Sequence, residues 1–135
     1  MPLQTKPMKR VTGIGGVFFK AKDPEKLKAW YRTHLGIESE SWGAVFHWRD
    51  DPRSDDGSTA WSVFAEETKH FEPSKKSFMI NFRVEDLDWL LTQLRAAGVE
   101  VDPKTDESDF GKFGWVMDPD GNRIELWEPP TPAKE

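Results

Sequence analysis

The 135-residue sequence has no cysteine. Disulfides, thiolate metal sites and a cysteine nucleophile are excluded together, and a reducing, cytoplasmic location is expected. Positive charge is in the minority: 19 Lys and Arg stand against 24 Asp and Glu, for a formal net charge of −5. Without a basic footprint, no nucleic-acid partner is expected. No apolar run approaches the roughly 20 residues of a membrane-spanning helix, so no membrane partner is expected either. The opening stretch Met1 to Arg10 is polar and lacks the apolar stretch of a secretory signal. Phosphate-binding and nucleophile-elbow motifs are missing. The glycine-rich Gly13-Ile14-Gly15-Gly16 precedes a strand pattern rather than a helix, so it is not a phosphate cradle. Histidine is scarce, and neither His34 nor His70 is spaced as a ligand pair with anything else.

Aromatic residues are plentiful. Seven Trp and nine Phe carry much of the available burial, while Tyr31 is the only tyrosine. The chain also repeats itself. Val17 to Asp23 reads as a strand ending at an aspartate, followed by a helical pattern up to Leu35-Gly36. Ile80 to Asp86 does the same, followed by a helical pattern up to Ala97-Gly98. Two copies at so long a period indicate a duplicated module rather than a solenoid. Asp23 and Asp86 are placed to cap their helices, with Pro24 suited to the first helical position. Leu27, Tyr31 and Leu35 form one apolar stripe, and Leu87, Leu90, Leu91 and Leu94 form the other. Gly36 and Gly98 read as C-terminal caps.

Shorter strand candidates follow each helix. They are Ile37 to Glu40, Gly43 to Arg49 and Thr59 to Phe64 in the first copy, and Val99 to Asp102, Phe113 to Met117 and Asn122 to Trp127 in the second. The expected organisation is one α+β domain over residues 10–129. It comprises two tandem βαβββ modules, residues 10–64 and 77–129, joined by a linker over 65–76, with flexible tails at 1–9 and 130–135. His34 falls near the end of the first helix and His70 in the linker.

The most informative stretch is Asp118-Pro119-Asp120-Gly121-Asn122-Arg123-Ile124-Glu125-Leu126-Trp127. Asp-Pro-Asp-Gly is a tight turn, and the strand after it alternates. Ile124 and Leu126 point one way; Arg123, Glu125 and Trp127 point the other. A carboxylate inside such a strand is costly unless it is paired, ligated or solvated. Glu125 is therefore either part of a network with Arg83 or Arg123, or a ligand-binding carboxylate or general base.

With its two modules and this terminal motif, the chain resembles the vicinal oxygen chelate superfamily over about residues 11–129. That group includes glyoxalase I, extradiol dioxygenases, and fosfomycin- and bleomycin-resistance proteins. The resemblance implies an open, concave mixed sheet whose cavity holds metal and substrate, and a homodimer. It also implies metal ligands on the first and last strands of each module. Those positions fall here on Gly16, Met79, Glu125 and, in the first module, Trp61 or Ser62. Glycine offers no ligand atom, and a thioether suits soft copper. Glu125 alone matches, so no cofactor is expected. A divalent ion would need non-standard ligands such as Glu125 with His47.

The cavity implied by the resemblance collects Phe18, Lys20, His47, Trp61, Met79, Asn81, Arg83, Phe113, Trp115, Arg123 and Glu125, with Glu125 as the catalytic candidate. Apolar walls with a few polar groups describe a small-molecule pocket. Lys20, Arg83 and Arg123 favour an anionic ligand. The leading reading is a glyoxalase-like protein that binds a small organic molecule without the standard metal. Two alternatives stay open: a metal-dependent lyase, isomerase or dioxygenase using Glu125, and a drug-sequestering resistance protein.

Overall fold

The computed structural model describes residues 10–131. The chain divides into two compact units. Among the described residues, one holds 10–20 and 45–63, and the other holds 21–44 and 64–131.

The second unit contains both helices and the sheet. Helix α1 spans Pro24–Leu35 and helix α2 spans Leu87–Ala96. Each begins as its sequence dictates. The Asp23 carboxylate accepts a hydrogen bond from the Lys26 backbone N–H at 3.2 Å, and the Asp86 carboxylate accepts one from the Trp89 N–H at 3.1 Å. These bonds satisfy donors that a helix start leaves orphaned. Helix α1 ends at Gly36, whose φ of 72° is left-handed. Helix α2 closes through Ala97 to Gly98, whose φ of 82° is left-handed and whose N–H bonds to the Arg95 carbonyl at 3.1 Å.

Four strands form a mixed sheet: β1 (Ile80–Arg83), β2 (Asp106–Ser108), β3 (Gly111–Met117) and β4 (Arg123–Glu128). Their order is β1-β4-β3-β2. Strands β1 and β4 run parallel, while β4–β3 and β3–β2 are antiparallel. This is an α+β fold with an open mixed sheet.

The sheet has two chemically distinct faces. Val116, Ile124 and Leu126 pack with Leu27, Tyr31, Leu87, Leu91 and Leu94 of the helices, and Phe82 and Val84 join from the β1 side. Leu126 is completely buried. Along β1, Asn81 and Arg83 alternate with the apolar Ile80 and Phe82 and are exposed. The alternation read along β4 puts Ile124 and Leu126 in the core, as expected.

One buried polar contact ties α1 to the terminal turn. The Tyr31 hydroxyl donates to Asp118 Oδ2 at 2.7 Å. Burial first, and then Asp118, push the Tyr31 hydroxyl well above its ordinary value of 10.0. The folded chain thus keeps a proton that the unfolded chain releases. The stability this contributes is complete below pH 10 and is lost as pH rises further. Tyr31→Phe is expected to cost about 1.5–3 kcal/mol at neutral pH, the usual range for a hydrogen bond to a charged group. The variant should also lose part of the alkaline fall in stability. Urea unfolding at neutral and alkaline pH measures both.

Several expected strands are absent. In the first copy, residues 17–23, 37–40, 43–49 and 59–64 form no ladder; the isolated bridge Glu40–Gly43 is the pairing found there, and Trp48–Asp50 is a short 3₁₀ turn. Alternation marks a segment able to form a strand, but a strand exists only with a hydrogen-bonded neighbour. Val17, Phe46, Trp61 and Val63 are correspondingly exposed rather than packed. In the second copy, Val99–Asp102 contributes a single bridge, Val101 to Val116, and the edge strand is instead Asp106–Ser108.

Candidate functional site

The sheet face opposite the helices is built by residue alternation. Glu125 in β4 lies between Asn81 of β1 and Trp115 of β3 in the strand register. All three side chains meet. Glu125 Oε1 accepts from Asn81 Nδ2 at 2.8 Å, and Oε2 accepts from Trp115 Nε1 at 2.9 Å. A fourth residue completes the cluster. His70 Nε2 lies 3.2 Å from Glu125 Oε2.

His70 comes from the segment read as a linker. That segment folds through successive turns: the Thr68 N–H bonds to Ala65 O, Glu72 to Lys69 and Ser74 to Phe71. The Thr68 hydroxyl accepts from the His70 backbone N–H at 3.2 Å. Aromatic neighbours fix the ring. Phe64 stacks on it at 5.5 Å between centroids with planes 5° apart, and Trp115 meets it edge-on at 6.0 Å. The exposures differ usefully: the Glu125 side chain is 13% exposed and that of His70 is 36%.

Arg123 does not pair with Glu125. Its guanidinium lies 5.2 Å above the Trp115 ring and reaches Asp102 at 3.3 Å. Arg123 is itself buried, so its stem packs while its charge is held by a cation–π contact and a carboxylate. The Asp102 carboxyl is held below its usual range, chiefly by the Lys104 backbone N–H and also by Arg123. The expected pairing of Arg123 with Glu125 is thus replaced by pairing with Asp102.

The other expected site residues separate into two groups. Asn81, Arg83, Phe113, Trp115, Arg123 and Glu125 share this sheet face, and Phe113 stacks on Trp127 at 6.2 Å with planes 9° apart. Met79 directly precedes β1. Phe18, Lys20, His47 and Trp61 belong to the other unit. There Phe46, His47, Trp48 and Arg49 line a depression of about 410 Å³. His34 packs against Trp30 on α1, at 5.1 Å between rings. His70 is the residue that sequence reasoning missed. Its neighbours Phe64 and Phe71 are the one local hint that this stretch packs rather than spans.

The donor set bears on the metal that the resemblance implies. A divalent ion needs several lone pairs aimed at one point. Around Glu125 the groups aimed at the carboxylate are N–H donors, and indole has no acceptor to offer. Among the described residues no group of three or more His, Cys, Asp and Glu is close enough to hold an ion. The residues do not fit the standard ion at this position.

A family model described as "Glyoxalase-like domain" matches residues 16–127. The chain belongs to this glyoxalase-like family, within the vicinal oxygen chelate superfamily. Among solved structures, a protein of unknown function from Agrobacterium tumefaciens aligns over 87% of this chain and 98% of its own, with 20% identity and a TM-score of 0.53. That similarity supports the fold. An antibiotic-binding protein, TnmS3 from a Streptomyces species, aligns over 81% of this chain and 88% of its own, with 24% identity and a TM-score of 0.47. The trypanothione-dependent glyoxalase I of Leishmania major is 38% identical over 45% of this chain, with a TM-score of 0.33. The glyoxalase-like chain spans 40% of that enzyme, and 47% of a further match described as a conserved domain protein. The curated proteins give no match. No helix among the described residues is long and apolar enough to cross a membrane.

Proposed function

We propose that this glyoxalase-like chain binds a small, planar organic molecule on the open sheet face, centred on Glu125, without the family's standard divalent ion. The observation that carries the reading is the occupation of Glu125 by three donors of its own chain, Asn81, Trp115 and His70. In a metal site this carboxylate would be spent on the ion. Here it is a fixed acceptor beside the exposed edge of an imidazole, on a face carrying Phe113, Trp115 and Trp127. Aromatic side chains with a few placed polar groups suit a planar ligand.

The centre of this face also revises the expected ligand charge. Arg123 is buried and engaged by Asp102, so the reachable polar groups at the centre are Glu125, His70 and Asn81. They suit a ligand that brings its own hydroxyl or N–H.

The test is a tryptophan-fluorescence titration with 2-naphthol. Saturable quenching is expected for the wild-type chain, and Glu125→Gln should weaken it about tenfold, equivalent to about 1.4 kcal/mol. A large fall in melting temperature with unchanged 2-naphthol affinity would make Glu125 a structural residue and end the proposal. Homodimerisation and a cytoplasmic location belong to the same reading, and sedimentation at twice the chain mass is the expected result for the first.

A further inference from the structure

Building on that binding reading, we infer that His70 is the proton acceptor of the site and that Glu125 positions it. The sequence pointed to Glu125 as the catalytic group. The geometry points to the residue in front of it.

Three observations carry the assignment. First, both Glu125 oxygens are engaged: Oε1 by Asn81, and Oε2 by Trp115 and His70. Three of the carboxylate's roughly four acceptor positions are thereby taken, which leaves little room for a ligand hydroxyl to bond there. Second, the His70 side chain is nearly three times as exposed as that of Glu125, so a ligand on this face reaches imidazole first. Third, a carboxylate is an acceptor, so the 3.2 Å contact requires Nε2 to carry the hydrogen. When the ring is neutral, its lone pair is then on Nδ1. The stacked Phe64 and the edge of Trp115 hold the ring plane in place. A base whose far nitrogen is fixed by a carboxylate is a recurrent arrangement for proton transfer, and it is recognised by geometry rather than by sequence position.

The transfer balances without another reactant. A ligand O–H bond breaks, its electron pair stays on the oxygen, and the proton bonds to Nδ1. The imidazolium charge is shared with Glu125 through the Nε2–H bond. The proton returns to the oxygen or passes to solvent when the ligand leaves. The ligand class is therefore an aromatic or enolic hydroxyl compound acidic enough to lose that proton to imidazole. Glu125 is the charged group paired with the ring among the described residues; Arg123, on the same strand, is turned to Asp102 and Trp115.

The probe is 4-nitrophenol, whose phenolate absorbs separately from the neutral phenol. Held slightly below its own ionisation midpoint, 4-nitrophenol should gain phenolate absorbance when wild-type chain is added. The ratio of ionised to neutral probe in the bound state is expected to be about fivefold that of free probe, equivalent to about 1 kcal/mol. His70→Gln should abolish the gain, Glu125→Gln should reduce it strongly, and His34→Gln should leave it unchanged. Nitrogen NMR of the His70 ring should show the hydrogen on Nε2 in the wild-type chain. The inference is overturned if 4-nitrophenol gains no phenolate on the wild-type chain, or gains as much on His70→Gln. If 2-naphthol still binds in that case, the binding reading survives and the proton-acceptor assignment alone fails.

Discussion

Asp118→Ala is expected to cost about 4 kcal/mol of folding stability. One carboxylate there accepts four hydrogen bonds: from the Tyr31 hydroxyl and Asn122 Nδ2 at 2.7 Å each, and from the Asp120 and Asn122 backbone N–H groups at 2.9 Å each. Asp118 and Asn122 are both buried, so water cannot freely replace what is removed. A hydrogen bond to a charged group contributes about 1.5–3 kcal/mol, and a buried donor left without a partner costs about 1–3 kcal/mol. Relaxation and an admitted water offset part of the sum, which is why the expectation is below the simple total. Asp120 lies two residues away but is exposed, and Asp120→Ala should stay within about 0.5 kcal/mol. Urea unfolding of the two variants side by side gives the comparison. Similar costs for both would mean that the carboxylate network is not what holds the turn.

The second large effect is expected at Gly111. Its φ is +118°, a conformation that L side chains rarely adopt, and a Cβ there would collide with the Glu128 carbonyl oxygen of the neighbouring strand. The obstruction is backbone, so no rotamer relieves it. The adjacent turn is held from the same place, with Trp127 Nε1 donating to the Phe110 carbonyl at 2.7 Å. Gly111→Ala should cost about 3 kcal/mol, the upper part of the range for an enforced backbone strain, and should loosen the β2–β3 hairpin. Thermal unfolding with amide exchange across residues 106–117 measures both. A near-neutral variant would show that this edge readily shifts its register.

The second copy of the duplicated module was legible because its signals are local. Asp86 needs only the helix that follows it, and Ile124 and Leu126 need only the period of a strand. Asp118 to Gly121 needs only the φ preferences of its own residues. The first copy has the same signals, and its helix formed as read, from the Asp23 cap to Gly36. Its strands did not, because a ladder depends on a neighbour that the local pattern of Val17 to Asp23 cannot specify.

His70 failed to stand out for a related reason. Residues 65–76 carry no periodicity, so nothing local announced that their turns would deliver an imidazole to a carboxylate 55 residues further on. Arg123 was placed correctly on its face and given the wrong partner. Its competitor, Asp102, is held by the Lys104 N–H at 2.9 Å in a segment that sequence alone read as strand. Glu125 itself was recognised as the residue needing an explanation. What the sequence could not supply was that the explanation consists of three donors from three separate segments.

The central claim is that Glu125 is satisfied by Asn81, Trp115 and His70 rather than by an ion. Elemental analysis tests it most directly. The chain would be purified without chelator from medium replete in magnesium, manganese, iron, nickel and zinc, alongside Glu125→Gln. The account predicts far less than one equivalent of any of these metals per chain, and the same content in both proteins. One tightly held equivalent in the wild-type chain that disappears in Glu125→Gln would contradict it.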